Sequence, residues 1–281
     1  WQLDDLSWKL LDAIEIYHFI LTNPEKRVSE LMSHSVTNIS AFEDREEAVH
    51  MMLRYDIQAL PVVDSEGVLL GVVTFDDVMD VAQEEATEDF YKGAAVSPLK
   101  TTYLETGIWE LYSKRVVWLV GLVVVNLLSL ELIAYYQELL ASTIALTFFI
   151  PLLLGSGGNT GSQSSTIIVR GLATGDIQLK EWALSLKKEL LVSLLLGFTM
   201  GLVGIVLGGW KGGFNIALIV GLTMILIIIV ANLIGAILPL ILTKLKLDPA
   251  VASNPLITSI TDATGLIIFF SISQWILALS H

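Results

Sequence analysis

The chemistry of this chain can be argued first from Asp262. It lies in the run NPLITSITDATGLIIFF (254–270), where no Lys or Arg is present to neutralise it. A carboxylate at the centre of a bilayer costs roughly 2.5–3.5 kcal/mol on insertion scales. One without a charged partner calls for water, a proton or a bound cation. A protonated aspartic acid bonded to a neighbouring helix is the purely structural alternative. Asn254-Pro255 reads as an N-cap followed by proline at the first helical position. Asp262 then falls about 12 Å further along, at 1.5 Å per residue. The chain has no cysteine and no histidine near this run. Oxygen donors alone suit a hard cation such as Mg²⁺ or Ca²⁺ rather than Zn²⁺ or Cu²⁺. One carboxylate is thin for a dehydrated Mg²⁺. Mg²⁺ keeps its waters, however, and a two-fold dimer brings a second Asp262.

A second polar stretch, PLLLGSGGNTGSQSSTIIVR (151–170), sits inside an apolar run long enough to cross a bilayer. Asn159, Thr160, Ser162, Gln163 and Thr166 contribute neutral polar groups. Helix–helix hydrogen bonding alone requires fewer of them, so the stretch is expected to face a polar interior. Pro151 and the glycines predict a bent or loosened helix whose freed carbonyls turn toward a cavity. A phosphate-binding glycine loop is excluded: no strand precedes the stretch, and neither GK[ST] nor GxGxxG spacing fits.

The elements that carry these residues are membrane spans. Hydrophobic residues make up 54% of the chain, and the excess is concentrated after residue 115. Five spans are expected, near 116–134, 143–169, 184–208, 214–242 and 255–279. Lys114, Arg115, Arg170, Lys180, Lys187, Lys188, Lys244 and Lys246 fall on one side of them, and only Lys211 on the other. The positive-inside rule then sets the N-terminus in the cytoplasm and the C-terminus outside, in a multi-pass protein of the cell (inner) membrane. Gly197, Gly201, Gly204 and Gly208 form a small-residue face suited to close helix packing.

Ahead of the spans the chain is acidic. Residues 1–113 hold 22 Asp+Glu against 7 Lys+Arg, whereas 114–281 hold 7 against 9. The first part repels nucleic acid and anionic lipid and can collect cations. A solvated, solubilising surface is the bland reading of the same charge. The chain starts at Trp1 with an acidic stretch unlike a signal peptide, as expected of a trimmed chain. Residues 1–20 carry a helical pattern in Leu3, Leu6, Leu10, Leu11 and Ile14. From 27 to 81 a helix (44–55), two strands (60–64 and 68–74) separated by Ser65-Glu66-Gly67, and a further helix after Thr74 predict a compact α/β module. A helix-prone connector over 82–113 follows. Its Glu85 stands at i+3 and i+4 from Glu88 and Asp89, a repulsion that a solvated surface tolerates and a cation would relieve.

The order helix–strand–turn–strand–helix with LPVVD…G…GVVTxxD resembles a CBS domain, with residues 1–26 left as the remnant of a preceding repeat. PLLLGSGGNTGSQSSTIIVRGLATGDI and DPAVASNPLITSITDATG, joined to that module by an acidic helix, resemble the MgtE family of magnesium channels. The resemblance covers about residue 17 to the end. It implies a homodimer with an ion path between the second and fifth spans. Asp262 would hold hydrated Mg²⁺, with Asn254 and the backbone near Thr258 on the same path. Gly155, Gly158, Ser162 and Thr166, beside Asn159, would line the opposing helix. It also implies closure by cytosolic Mg²⁺ bridging the CBS domain and the connecting "plug" helix. The matching carboxylates are Asp77, Glu85, Glu88 and Asp89, with Asp44, Glu46, Asp56 and Asp80. ATP or another adenosine nucleotide at the CBS domain would match Thr74 and Asp77.

The expected architecture is a membrane protein with an all-α five-span domain (114–281), an N-terminal cytosolic α/β CBS domain (27–81) and a connecting plug helix (82–113). The expected function is a Mg²⁺-selective channel for magnesium uptake, gated shut by cytosolic Mg²⁺. A Na⁺- or H⁺-coupled divalent cation exchanger is the alternative within transport. A membrane-anchored nucleotide-sensing CBS protein is the alternative outside it, and it leaves Asp262 and the polar second span unexplained. No nucleophile–base arrangement points to an enzyme. His18, His34, His50 and His281 are scattered, and none lies inside a span.

Overall fold

The computed structural model describes residues 2–3, 8–33, 35–99 and 101–279. The elements are β1 (Gln2–Leu3), β2 (Leu10–Asp12), α1 (Ile16–Leu21), β3 (Ile39–Ser40), α2 (Arg45–Tyr55), β4 (Ala59–Val63), β5 (Leu69–Thr74), α3 (Phe75–Gly93), α4 (Ile108–Tyr135), α5 (Gln137–Ser142), α6 (Ile150–Ala173), α7 (Trp182–Lys244) and α8 (Asn254–Leu279). They fall into two compact units, Trp1–Thr87 and Glu88–His281.

In the first unit β3 pairs parallel with β4, and β4 pairs antiparallel with β5. The hairpin between β4 and β5 is closed by Asp64, whose Oδ1 accepts from the N–H groups of Glu66 and Val68 at 2.8 and 2.9 Å. Gly67 takes the left-handed conformation this turn requires (φ +80°). Asp44 caps α2 by accepting from the Glu46 N–H, and the helix ends on Asp56 in the left-handed conformation (φ 52°). Ile39, Val49, Met52, Leu60 and Val78 form the buried core between helices and sheet. The expected order of helix, strand, turn, strand and helix is present.

The first twenty residues differ from the expected helical pattern. Among the described residues, 10–12 are a strand and the one helix near them is α1 (Ile16–Leu21); Leu6 lies outside the described residues. Backbone pairing decides this: β2 pairs antiparallel with β1, and beside them Leu10 N–H donates to Gly67 O and Leu69 N–H to Trp8 O. A free edge beside the hairpin satisfies these groups and overrides a weak periodicity.

In the second unit four helices are long and apolar enough to cross a membrane. The span within Leu179–Lys244 is 66 residues long, about 99 Å at 1.5 Å per residue, against a hydrocarbon core of about 30 Å. It is folded back on itself at Gly213, whose φ of 76° and ψ of −169° are non-helical. A side chain would be strained at that φ. The arms 182–212 and 214–244 run antiparallel, and with α4, α6 and α8 they make five spans. The glycine face of the first arm is what lets them close. A Cβ on Gly208 would lie 2.8 Å from the Ala217 Cα, and one on Gly204 3.2 Å from the Val220 carbonyl oxygen.

Helix α6 corrects one expectation. It is continuous from Ile150 to Ala173, and Pro151 sits in its first turn. Proline removes no intrahelical bond there, so it starts the helix rather than bending it. The irregular backbone precedes it, as a 3-10 segment over Ile144–Phe149. The polar side chains inside α6 do not free carbonyls but cover them: Ser156, Thr160 and Thr166 each donate to the carbonyl four residues back at 2.8 Å. The connector also breaks where one helix was expected over 82–113. Helix α3 stops at Gly93 because Ala95 turns left-handed (φ 56°) and Val96 N–H bonds back to Tyr91 O. Pro98 follows, and α4 begins only at Ile108.

Candidate functional site

Helices α6 and α8 pack antiparallel, and the polar residues of both meet along one seam. Gly158 lets the pair approach: a Cβ there would lie 2.9 Å from the Thr258 methyl. Ser162 Oγ stands 3.4 Å from the Asn254 carbonyl oxygen, to which it donates, and 3.5 Å from Thr258 Oγ1. Thr166 Oγ1 lies 3.3 Å from Asn254 Oδ1. Asn254, Thr258 and Asp262 recur every four residues, so they form one stripe of α8. The register continues to Gly265, against Leu154. Asp262 therefore lies at the level of Gly155 to Gly158. Gly155 is exposed, and a Cβ there would meet nothing within 4 Å. Asn159 and Thr166 are also exposed.

Asp262 is half-buried, and its Oδ1 is buried with no hydrogen-bond partner among the described residues. No described Lys, Arg or His forms an ion pair with it. An unsatisfied carboxylate oxygen in a membrane span is a costly arrangement. Beside it the seam offers acceptors. The one proton of Thr166 has the Ser162 carbonyl oxygen at 2.8 Å and Asn254 Oδ1 at 3.3 Å as acceptors, and either bond leaves the hydroxyl lone pairs available. The combination of negative charge, hydroxyl lone pairs and carbonyl oxygens can receive hydrogen bonds from the waters of a hydrated cation.

A second polar cluster lies on the opposite side of α6, and sequence reasoning missed it. Glu189 Oε2, on the first arm of α7, accepts from Ser164 Oγ at 3.0 Å and from Asn232 Nδ2 at 2.8 Å. Asn232 also donates to the Glu189 carbonyl oxygen at 3.1 Å. Glu189 stands beside Lys187 and Lys188 and so reads as part of a charged flank. The available signal was Asn232, an amide in an otherwise apolar run.

Most acidic residues of the expected sensor have protein partners. In the first unit Arg45 binds Glu84 at 2.8 Å and Glu85 at 2.7 Å. Asp44 and Asp56 cap α2, Glu46 lies 3.7 Å from His50, and Asp77 accepts from Thr74 Oγ1 at 2.7 Å. Asp80 is exposed on α3. In the second unit Lys92 binds both Glu88 and Asp248 at 2.5 Å. Burial opposes the charge of Lys92, but the hydrogen bonds to Asp248 and Glu88 outweigh it and raise its pKa. Asp89 lies one residue beyond Glu88 on α3 and also has a partner. Among the described residues no three His, Cys, Asp or Glu side chains gather closely enough to hold a metal ion. A cavity of about 550 Å³ in the first unit is lined by Met52, Leu53, Asp56, Ile57, Gln58, Phe75 and Asp76. Thr74 and Asp77 flank its last two residues in the chain and are not part of its lining.

Taken together, this is a multi-pass α-helical membrane protein with a small N-terminal α/β domain and a polar seam between two of its spans. Comparison with known proteins agrees with this class. Residues 150–272 match the MgtE divalent cation transporter family, and residues 28–84 match the CBS domain. The first match contains both sides of the seam. The chain thus carries an MgtE family domain together with a CBS domain. It is 40% identical over 273 residues to the magnesium transporter MgtE of Thermus thermophilus, covering 97% of this chain and 61% of that protein. It is 36% identical over 268 residues to the magnesium transporter MgtE of Bacillus subtilis, covering 95% and 59%. The chain thus spans about three fifths of the length of these relatives. Among solved structures, the cytosolic domain of the Mg²⁺ channel MgtE in complex with ATP is 40% identical, covering 28% of this chain and 32% of that chain, with a TM-score of 0.27.

Proposed function

We propose that the protein is a Mg²⁺-selective channel that mediates magnesium uptake as a homodimer. Its N-terminus is cytoplasmic and its C-terminus external. The observation that carries this reading is Asp262, whose buried Oδ1 has no partner among the described residues although it lies inside a span. The ion passes with its waters. A divalent ion and a carboxylate about 5 Å apart, with one water layer between, attract by roughly 7 kcal/mol at an effective dielectric of about 20. Two copies of Asp262 facing one path roughly double that attraction. Ser162, Thr166 and Asn254 accept hydrogen bonds from the ion's waters, so Mg²⁺ sheds few of them. Outer-sphere binding of this kind holds the ion tightly enough to enter and loosely enough to leave.

Cytosolic Mg²⁺ closes the channel through the acidic residues of the CBS domain and α3, chiefly Asp77, Glu85, Glu88 and Asp89. Ligands from two copies, or sites with most of their waters retained, are required, since no three carboxylates converge in one chain among the described residues. An adenosine nucleotide fits beside Phe75 and Asp76, where an aromatic ring borders the cavity. The test is Mg²⁺ uptake by proteoliposomes. Asp262→Ala is expected to abolish it, and flux near wild type would overturn the assignment. Glu88→Ala with Asp89→Ala is expected to keep flux high at cytosolic Mg²⁺ levels that silence the wild type.

A further inference from the structure

We propose that Glu189 is a positioning residue for the ion path, holding α6 in the rotation that turns Gly155 and Ser162 toward the α8 stripe. The proposal rests on reading the α6–α8 seam as that path.

Ser162 and Ser164 are two residues apart, so at about 100° per residue they look to opposite sides of α6. Ser162 meets Asn254 and Thr258 at the seam. Ser164 meets Glu189 on the far side. Ser164 is 2% exposed and Asn232 3%, so neither has water as an alternative partner. A bond on the back of the helix therefore sets what its front presents.

Two buried bonds set the rotation here: Ser165 Oγ donates to the Ala252 carbonyl oxygen at 3.2 Å just ahead of α8, and Ser164 Oγ donates to Glu189 toward α7. Helix α6 rests on the second arm of α7 backbone to backbone, because a Cβ on Gly235 would fall on the Gly161 carbonyl oxygen. A smooth glycine contact resists approach but not rotation. On the α7 side the bond from Ser164 supplies the direction, and Asn232 holds the Glu189 carboxylate that receives it. Two spans could be joined by serine and asparagine alone, as membrane helices commonly are. A carboxylate inside a span is a costlier choice, and it binds its donors more strongly than a neutral acceptor does.

The chain has no cysteine, so Ser162→Cys introduces a single thiol. Its rate of modification by a charged methanethiosulfonate, in the reconstituted full chain, reports how α6 is turned. Glu189→Gln and Ser164→Ala are expected to change that rate several-fold, while a cysteine at exposed Ser65 reacts as before. Without the thiol, the same variants are expected to lower maximal Mg²⁺ flux about tenfold, the effect of one lost hydrogen bond to a charged group. The Mg²⁺ concentration giving half-maximal flux stays unchanged, because Asp262 is intact. Should Glu189→Gln fail to fold, Ser164→Ala carries the test alone, since it leaves the Glu189–Asn232 bonds in place. Unchanged reactivity at position 162 overturns the proposal, whether or not flux falls. If instead Asp262→Ala conducts normally, the ion-path reading fails, while the thiol still reports whether Glu189 holds α6.

Discussion

The two sides of α6 treat a carboxylate in opposite ways. Toward the two arms of α7, Glu189 takes hydrogen bonds from two buried side chains. Toward α8, Asp262 keeps a buried oxygen that no described residue satisfies. Both lie in spans, where either arrangement costs energy. Glu189 recovers that cost from the protein, which is the behaviour of a structural joint. Asp262 does not, which suits a group whose partner arrives from solution. Burial alone would not separate the two roles, because both residues are only half-buried. Their hydrogen-bond partners do.

The sharpest test of this contrast is one edit applied to both sites. Asp262→Asn removes the charge and keeps the shape. Flux is expected to fall at least about 100-fold, since losing even 3 kcal/mol of attraction exceeds two decades. Glu189→Gln is expected to lower it only about tenfold. Equal losses would erase the distinction.

Glycines give the next comparison. Gly235→Ala drives a methyl into the Gly161 carbonyl and should destabilise the membrane domain by about 1–3 kcal/mol. The check is a lower unfolding midpoint in detergent. Gly155→Ala points into open space and should leave that midpoint unchanged.

The smallest effects belong to the first unit. Asp44→Ala should cost about 1 kcal/mol through the lost α2 cap. Arg45→Ala should cost less than about 1 kcal/mol, because its pairs with Glu84 and Glu85 are largely exposed. Hydrogen exchange of the α2 amides in the full chain would read both.

Much of this was legible in the residues themselves. The spans follow from hydropathy, and the β4–β5 hairpin from two short β-rich runs around Ser65-Glu66-Gly67. Asp262 stood out because its own span lacks any basic residue, a property of one segment. Pro151 misled because proline among glycines looks like a kink, and only the helix start shows it in the first turn. Residues 10–12 misled because backbone pairing with Gln2 and Leu3, and of Leu10 with the distant Gly67, outweighs a weak periodicity.

The amino-acid sequence by itself determined which segments cross the membrane, where Asp262 sits and which helices are polar inside. Those are local quantities: transfer energy per residue, charge and spacing. The tertiary structure decided which partners those groups find. It set Ser162 against Asn254, Ser164 against Glu189 and Lys92 against Glu88 and Asp248. Hydrogen bonds and ion pairs form only across a few ångströms, and residues that far apart in the chain meet only once the helices have packed.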